Sequence, residues 1–172
     1  MTTRPPRLRV RPARLQEAGE LCTLLNAIIR IGGTTAHERP LTVEGFAEQF
    51  LRGPGFLCCL VAEEAASGLL GGFQALERHA GLPEGWADIA TFARPEPKIP
   101  GVGTALFAAT AARARLLGVT TINATIRADN HGGLAYYSKM GFEDHAVARG
   151  VPLADGTPVD RISKRYPVRG TG

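Results

Sequence analysis

Lys98-Ile99-Pro100-Gly101-Val102-Gly103-Thr104 is the stretch on which the reading of this chain turns. Ahead of it, Trp86 to Ala93 has the length of a strand and is stopped by Pro95 and Pro97. Behind it, Val102 to Leu117 is rich in Ala and Leu, and Val102, Ala105, Leu106, Ala109 and Leu116 recur at helical spacing, with Gly118 suited to the C-terminal cap. A glycine-rich turn from strand to helix gathers bare backbone N–H groups at the positive end of the helix dipole, which is an anion site. Lys98 and Thr104 each add a donor there. A lone Gly-x-Gly is also a common tight connection, so the motif alone leaves both readings open.

Towards the C-terminus, Val119 to Ile126 puts Ile122, Ala124 and Ile126 on one strand face. A short helix follows near Gly133 to Met140, then a turn at Gly141, and two last strands flank the hairpin dipeptide Asp155-Gly156. Towards the N-terminus, Phe56 to Glu63 and Leu69 to Leu76 are apolar runs separated by Ala66-Ser67-Gly68, an antiparallel hairpin. Before them Thr42 caps a short helix through Phe46 and Phe50 to Leu51, and Thr34 to Leu41 is a loop. The chain opens with a strand at Leu8 and Val10 and a helix whose stripe is Leu21, Leu24, Leu25, Ile28 and Ile29, ended by Gly32-Gly33. The order β-α-α-β-β-β-α-β-α-β-β mixes hairpins with two crossovers. It implies an α+β (mixed α/β) fold, a mixed and mostly antiparallel sheet flanked by helices.

With 172 residues, 44% apolar and 21% charged, the chain reads as one globular domain, 1–172. Its net charge of +4 rests largely on Arg, which suits carboxylate or phosphate ligands as well as an ordinary basic surface. There is no basic block, zinc-ligand spacing or aromatic RNA motif, so neither nucleic acid nor a metal is expected. No stretch approaches the ~20 apolar residues of a membrane span, and Met1 to Pro6 carry no apolar run behind Arg4, so a cytoplasmic location is expected. Cys22, Cys58 and Cys59 read as reduced core thiols, the adjacent pair facing opposite sides of a strand.

A second constellation lies in Asn130-His131-Gly132-Gly133-Leu134-Ala135-Tyr136-Tyr137-Ser138-Lys139-Met140-Gly141-Phe142. By spacing alone Asn130 is a helix cap or turn residue and Tyr137 a half-buried aromatic. Taken with the glycine loop, however, the run resembles the GNAT acyltransferases, whose cofactor loop is followed in the next crossover by Asn, by Tyr seven positions on, and by Gly-Phe. Ala93-Arg94-Pro95 and the opening Leu8-Arg9-Val10-Arg11-Pro12-Ala13 are similar to that family too, so the likeness covers nearly the whole chain. Within it, the Thr34 to Phe46 segment and the Asp155-Gly156 hairpin resemble the phosphinothricin acetyltransferases and related amino-acid N-acyltransferases.

The resemblance implies acetyl-coenzyme A as cosubstrate, held by Lys98, Gly101, Val102, Gly103 and Thr104, with Asn130 and Gly133 at the pantetheine arm. It places a carboxylate thirteen positions before the first loop glycine, here Asp88, as acceptor of the amine proton, directly or through water. It gives Tyr137 the role of acid to the leaving thiolate, and puts a backbone N–H near Phe92 or Ala93 at the developing oxyanion. Thr34, Thr35 and His37 would meet the substrate, His37 standing where relatives carry Arg. Lys98 replaces Arg or Gln, Pro100 removes one loop donor, and Pro83 and Gly85 stand where relatives have aromatics. The implied function is N-acetylation of a small amino-acid-like amine in a ternary complex, by a homodimer built on the C-terminal hairpin. The alternatives are another amine (a protein terminus, a polyamine or an antibiotic) or an acyl-coenzyme A sensor without turnover.

Overall fold

In a computed structural model, which describes residues 5–169, the chain forms a seven-stranded sheet with helices on both faces. The strands are β1 Leu8–Pro12, β2 Phe56–Glu64, β3 Leu70–Glu77, β4 Trp86–Ala93, β5 Thr121–Arg127, β6 Glu143–Pro152 and β7 Pro158–Pro167, in the order β1-β2-β3-β4-β5-β7-β6. The helices are α1 Ala18–Ile31, α2 Val43–Ala47, α3 Val102–Leu116 and α4 His131–Lys139. Every neighbouring pair is antiparallel except β4 and β5. That is the element order and the sheet expected from the sequence. Met1 to Arg4 lie outside the described residues.

Alternation along the strands sorts side chains onto two cores. Cys59, Val61, Phe73, Ala75 and Phe92 face α1 and α2, whose Leu21, Leu25, Ile29, Phe46 and Phe50 cover them. Phe46, Phe50, Phe73 and Phe92 pack edge to face or tilted, with centroids 5.0 to 5.8 Å apart. On the other face Cys58, Leu76, Ala87, Ile89, Ile122, Ala124 and Ile126 meet Phe107, Ala114, Tyr137 and Phe142. Cys58 and Cys59 therefore take opposite faces, and burial raises the ionisation of both thiols, Cys59 to about 12.

Helix α3 lies close against β3 because Gly71 and Gly72 have no Cβ; at Gly71 one would stand 2.7 Å from a Val102 methyl. Gly118 takes a left-handed φ of 73° and ends the helical segment, as its position suggests. The helix expected from Thr42 to Leu51 is present, as α2 followed without a break by a π-helical stretch over Glu48–Arg52, and Phe50 packs on the phenylalanine cluster. Several arginines pair with carboxylates of the same chain. Arg9 and Arg11 pair with Glu63, Arg11 also with Glu17, Arg52 with Glu44 and Glu48, Arg127 with Asp129, and Arg149 with Asp160. No helix among the described residues is long and apolar enough to cross a membrane.

Candidate active site

The sheet opens at its centre. Strands β4 and β5 pair only from Trp86↔Thr121 to Asp88↔Asn123, after which β4 stays with β3 and β5 stays with β7. The Arg94 amide bonds the Gly71 carbonyl at 2.8 Å, and the β3–β4 register is unbroken, so alternate amides at Phe92 and Ala90 also point to β3. The amides of Thr91 and Ala93 point the other way, into the gap. Of the two positions expected to offer an oxyanion donor, Ala93 is the one whose amide is directed into the gap. Phe92 spends its amide in the ladder and its ring in the core.

At the wide end of the gap stands the N-terminus of α3. Gly101 holds a φ of 83°, where a side chain would be strained, and the first helical bond runs from the Ala105 amide to the Gly101 carbonyl at 3.0 Å. The amides of Val102, Gly103 and Thr104 thus emerge from the helix end with no intrahelical partner. The Val102 side chain is buried against β3, so only its backbone serves this cradle, with Lys98 and Thr104 exposed beside it. An anionic diphosphate fits these groups. Among the described residues no group of His, Cys, Asp and Glu is arranged to hold a metal.

Asp88 and Tyr137 lie on opposite faces of the sheet, on either side of the opening. Asp88 shares the α1–α2 face and accepts a hydrogen bond from Asn123 Nδ2 at 2.8 Å. Asn123 Oδ1 meets His145 Nε2 at 2.9 Å, and His145 packs on Trp86 at 5.4 Å. Because the Asn123 amide donates on its nitrogen side, its oxygen must accept, so His145 carries hydrogen on Nε2. Burial pushes the Asp88 carboxyl above the usual range, with the Asn123 hydrogen bond and nearby His79 opposing it. Glu77, directly across β3 from Asp88, is raised by burial and by the Asp88 charge. On the α3–α4 face the buried Tyr137 hydroxyl lies 2.8 Å from Thr91 Oγ1, and burial drives its ionisation up.

Asn130 caps α4: its Oδ1 accepts from the Gly133 amide at 2.9 Å. A Cβ at Gly133 would stand 2.4 Å from Asn130 Nδ2, so a larger residue there would displace the capping side chain. That Nδ2 also donates to the Thr34 carbonyl at 3.1 Å, which ties the α1–α2 loop to α4. The buried Arg127 reaches the Thr35 carbonyl at 3.4 Å, and Glu38 accepts from the Ala154 amide of the last hairpin at 3.0 Å. Thr35 Oγ1 is taken by the His37 amide at 3.1 Å, so Thr34 and Thr35 serve the loop through their backbones and this turn. The His37 ring sits between Phe50 and Phe92, 6.1 and 6.5 Å away, and burial lowers its basicity. His79 and His131 are exposed. Sequence reasoning missed Gln74, Thr91, Asn123 and His145. The one local signal was Gln74, a lone polar residue in the apolar run of β3.

Residues 24–142 match the model of the acetyltransferase (GNAT) family. No curated protein matches the chain. Among solved structures it is similar to a GNAT superfamily phosphinothricin acetyltransferase from Sinorhizobium meliloti in complex with acetyl-coenzyme A, at 20% identity and TM-score 0.81, over 95% of this chain and 90% of that one. An N-acetyltransferase from Staphylococcus aureus Mu50 aligns at 16% identity and TM-score 0.81, over 95% and 99%. A ribosomal-protein-alanine N-acetyltransferase from Brucella melitensis aligns at 21% identity and TM-score 0.80, over 92% and 99%.

Proposed function

The chain belongs to the GNAT acetyltransferase family, and on that premise we propose that it acetylates the primary amine of a small amino-acid-like molecule of the phosphinothricin or methionine sulfoximine type. Acetyl-coenzyme A is its acyl donor and supplies an activated acetyl thioester. Lys98 and the backbone of Gly101, Val102, Gly103 and Thr104 would hold the diphosphate. Asn130, through its second Nδ2 hydrogen, would hold the pantetheine arm, with Gly133 leaving it room.

One observation carries the reading: Asp88 and Tyr137 flank the β4–β5 opening from opposite faces of the sheet. The amine arrives on the α1–α2 face, where Asp88, held by Asn123, takes a proton from the ammonium directly or through one water. The Ala93 amide is aimed into the gap, where it would donate to the carbonyl oxygen. Tyr137, from the far face, gives a proton to the departing sulfur. Cys58 and Cys59 are buried with raised ionisation, which favours direct transfer over an acyl-enzyme.

The loop from Thr34 to His37 is held down by Asn130 and Arg127 over the acceptor face, which supports a small acceptor over a long chain. Thiol release with a panel of amines tests the assignment. Turnover with phosphinothricin-like amino acids is expected. Turnover confined to peptide termini or polyamines would replace the acceptor class, and cofactor binding without turnover on any amine would leave a sensor. Strand β6, exposed along most of its length at the sheet edge, is the surface on which we place a homodimer contact. A monomer mass at micromolar concentration would remove it.

A further inference from the structure

Five groups beside the opening form a hydrogen-bonded chain whose direction is fixed at one end by a carbonyl. The Gly103 carbonyl can only accept, and Tyr136 OH lies 2.8 Å from it, so the Tyr136 hydrogen goes there. The Tyr136 oxygen must then accept from Gln74 Nε2, 3.1 Å away. This also fixes which way round the Gln74 amide lies. Turned over, Oε1 would face an oxygen whose only hydrogen is already used. The second Nε2 hydrogen goes to Thr91 Oγ1 at 2.8 Å. Thr91 thus receives a hydrogen bond from Gln74, which leaves its own hydrogen available to the Tyr137 oxygen at 2.8 Å. With Thr91 donating, the Tyr137 hydrogen is the free end of the chain, beside Thr91, which lies beyond the last β4–β5 pair.

Gln74 is fully buried, and among the described residues its Oε1 has no partner. Both of its N–H groups are used, one on Tyr136 and one on Thr91.

We propose that Gln74 and Thr91 are positioning residues for acetyl transfer: they turn the Tyr137 hydrogen towards the departing sulfur and then stabilise the phenolate left behind. The proposal rests on Tyr137 being the acid. As the carbon–sulfur bond breaks, its electron pair goes to sulfur, which takes the Tyr137 proton and becomes a thiol. The phenolate accepts the Thr91 hydrogen bond until it regains a proton from solvent. The ammonium loses two protons in all, one released to solvent through Asp88 and one balancing the proton that Tyr137 gave up.

The test is made first on the free protein, with a fluorotyrosine incorporated at position 137 so that its ionisation falls in an accessible range and can be followed by fluorine NMR. Tyr136 and Asp88 are the titratable neighbours whose charges act on this phenol, and both are left intact. Thr91→Val keeps the shape and removes the hydroxyl. It should raise the phenol ionisation by about one unit, the worth of a hydrogen bond to a charged group, and Thr91→Ser should restore it. In the unlabelled enzyme Thr91→Val should lower kcat by about tenfold, leave acetyl-coenzyme A affinity unchanged, and be rescued by Thr91→Ser. An unmoved titration overturns the proposal while leaving Tyr137 as the acid if Tyr137→Phe is slow. A moved titration with a wild-type kcat in Tyr137→Phe removes the acid assignment and the proposal with it.

Discussion

The Tyr136 hydroxyl donates to the Gly103 carbonyl at 2.8 Å, and the Gly103 α-carbon faces the same ring so closely that an added Cβ would stand 2.7 Å from it. Helix α4, which carries Tyr137, is thereby fastened to the first turn of α3, which forms the anion cradle. Cofactor loop and proposed acid are thereby linked through the side chain of Tyr136.

Gly103→Ala should therefore push on both. Overpacking a tight contact costs about 1–3 kcal/mol, read as a lower midpoint in thermal or urea unfolding. Wild-type protein at ~100 times the dissociation constant of acetyl-coenzyme A should gain about 2.7 kcal/mol of stability. Gly103→Ala should lose part of that gain and Gly101→Leu all of it, since Gly101 holds a left-handed φ at the cradle. An undiminished shift in Gly101→Leu would move the cofactor site elsewhere.

Asn130 can be divided by substitution. Asn130→Asp keeps the oxygen that caps α4 and loses the donor to Thr34, whereas Asn130→Ala loses both. Asn130→Ala should cost about 1 kcal/mol, the worth of a cap, and Asn130→Asp much less. Both should speed hydrogen exchange over residues 34–41 and raise KM for the amine as well as for acetyl-coenzyme A. Equal exchange in all three proteins would show that the loop is held by other contacts.

The network around Arg11 gives a prediction in acid. Hydrogen bonds from Arg11 hold the Glu17 and Glu63 carboxyls below the usual range. Carboxyls depressed in the folded state contribute stability that is present above their unfolded pKa and is lost as pH falls through the folded value. Arg11→Met should flatten the loss of stability below about pH 4, in urea midpoints measured across pH. An unchanged slope would mean that these pairs contribute nothing net.

The element order was legible because punctuation is local: Gly32-Gly33, Gly53-Pro54-Gly55 and Asp155-Gly156 each stop or turn the chain where it stands. The site was legible only in part. Gln74 meets Tyr136 across 62 positions, Thr91 meets Tyr137 across 46, and no spacing rule spans such distances. The parting of β4 from β5 is likewise a property of pairing, so it could not be read that Phe92 spends its amide on β3 while Ala93 keeps its own. Asn130 looked like either a cap or a cofactor contact; it is a cap and a tie to the loop, and its second Nδ2 hydrogen remains for the proposed cofactor contact. The Arg content suggested ligands, yet several guanidinium groups are bound to carboxylates of the same chain.

The decisive comparison is a pH–rate profile of wild type, Asp88→Asn and Tyr137→Phe on the amine that the panel identifies. Burial raises the Asp88 carboxyl, so in wild type the acid limb of kcat/KM should fall at a pH above the ordinary carboxylate range. The same shift works against the fold. A carboxyl whose folded pKa lies above its unfolded value favours the native state while protonated, and that advantage is lost as pH rises from the unfolded to the folded pKa. Asp88→Asn keeps an oxygen for Asn123 Nδ2 and removes the charge, so it should melt no lower than wild type at neutral pH. Its turnover should nevertheless fall by about 10²-fold or more, the worth of a positioned base, and the deficit should shrink at high pH as free amine becomes abundant. Tyr137→Phe keeps the ring and loses only the hydroxyl, so its deficit should grow with pH, where solvent protonates the leaving sulfur least readily. Opposite slopes in the two variants would identify base and acid on the two faces of the sheet. Parallel profiles, or wild-type profiles in both, would assign the chemistry to other groups around the β4–β5 opening.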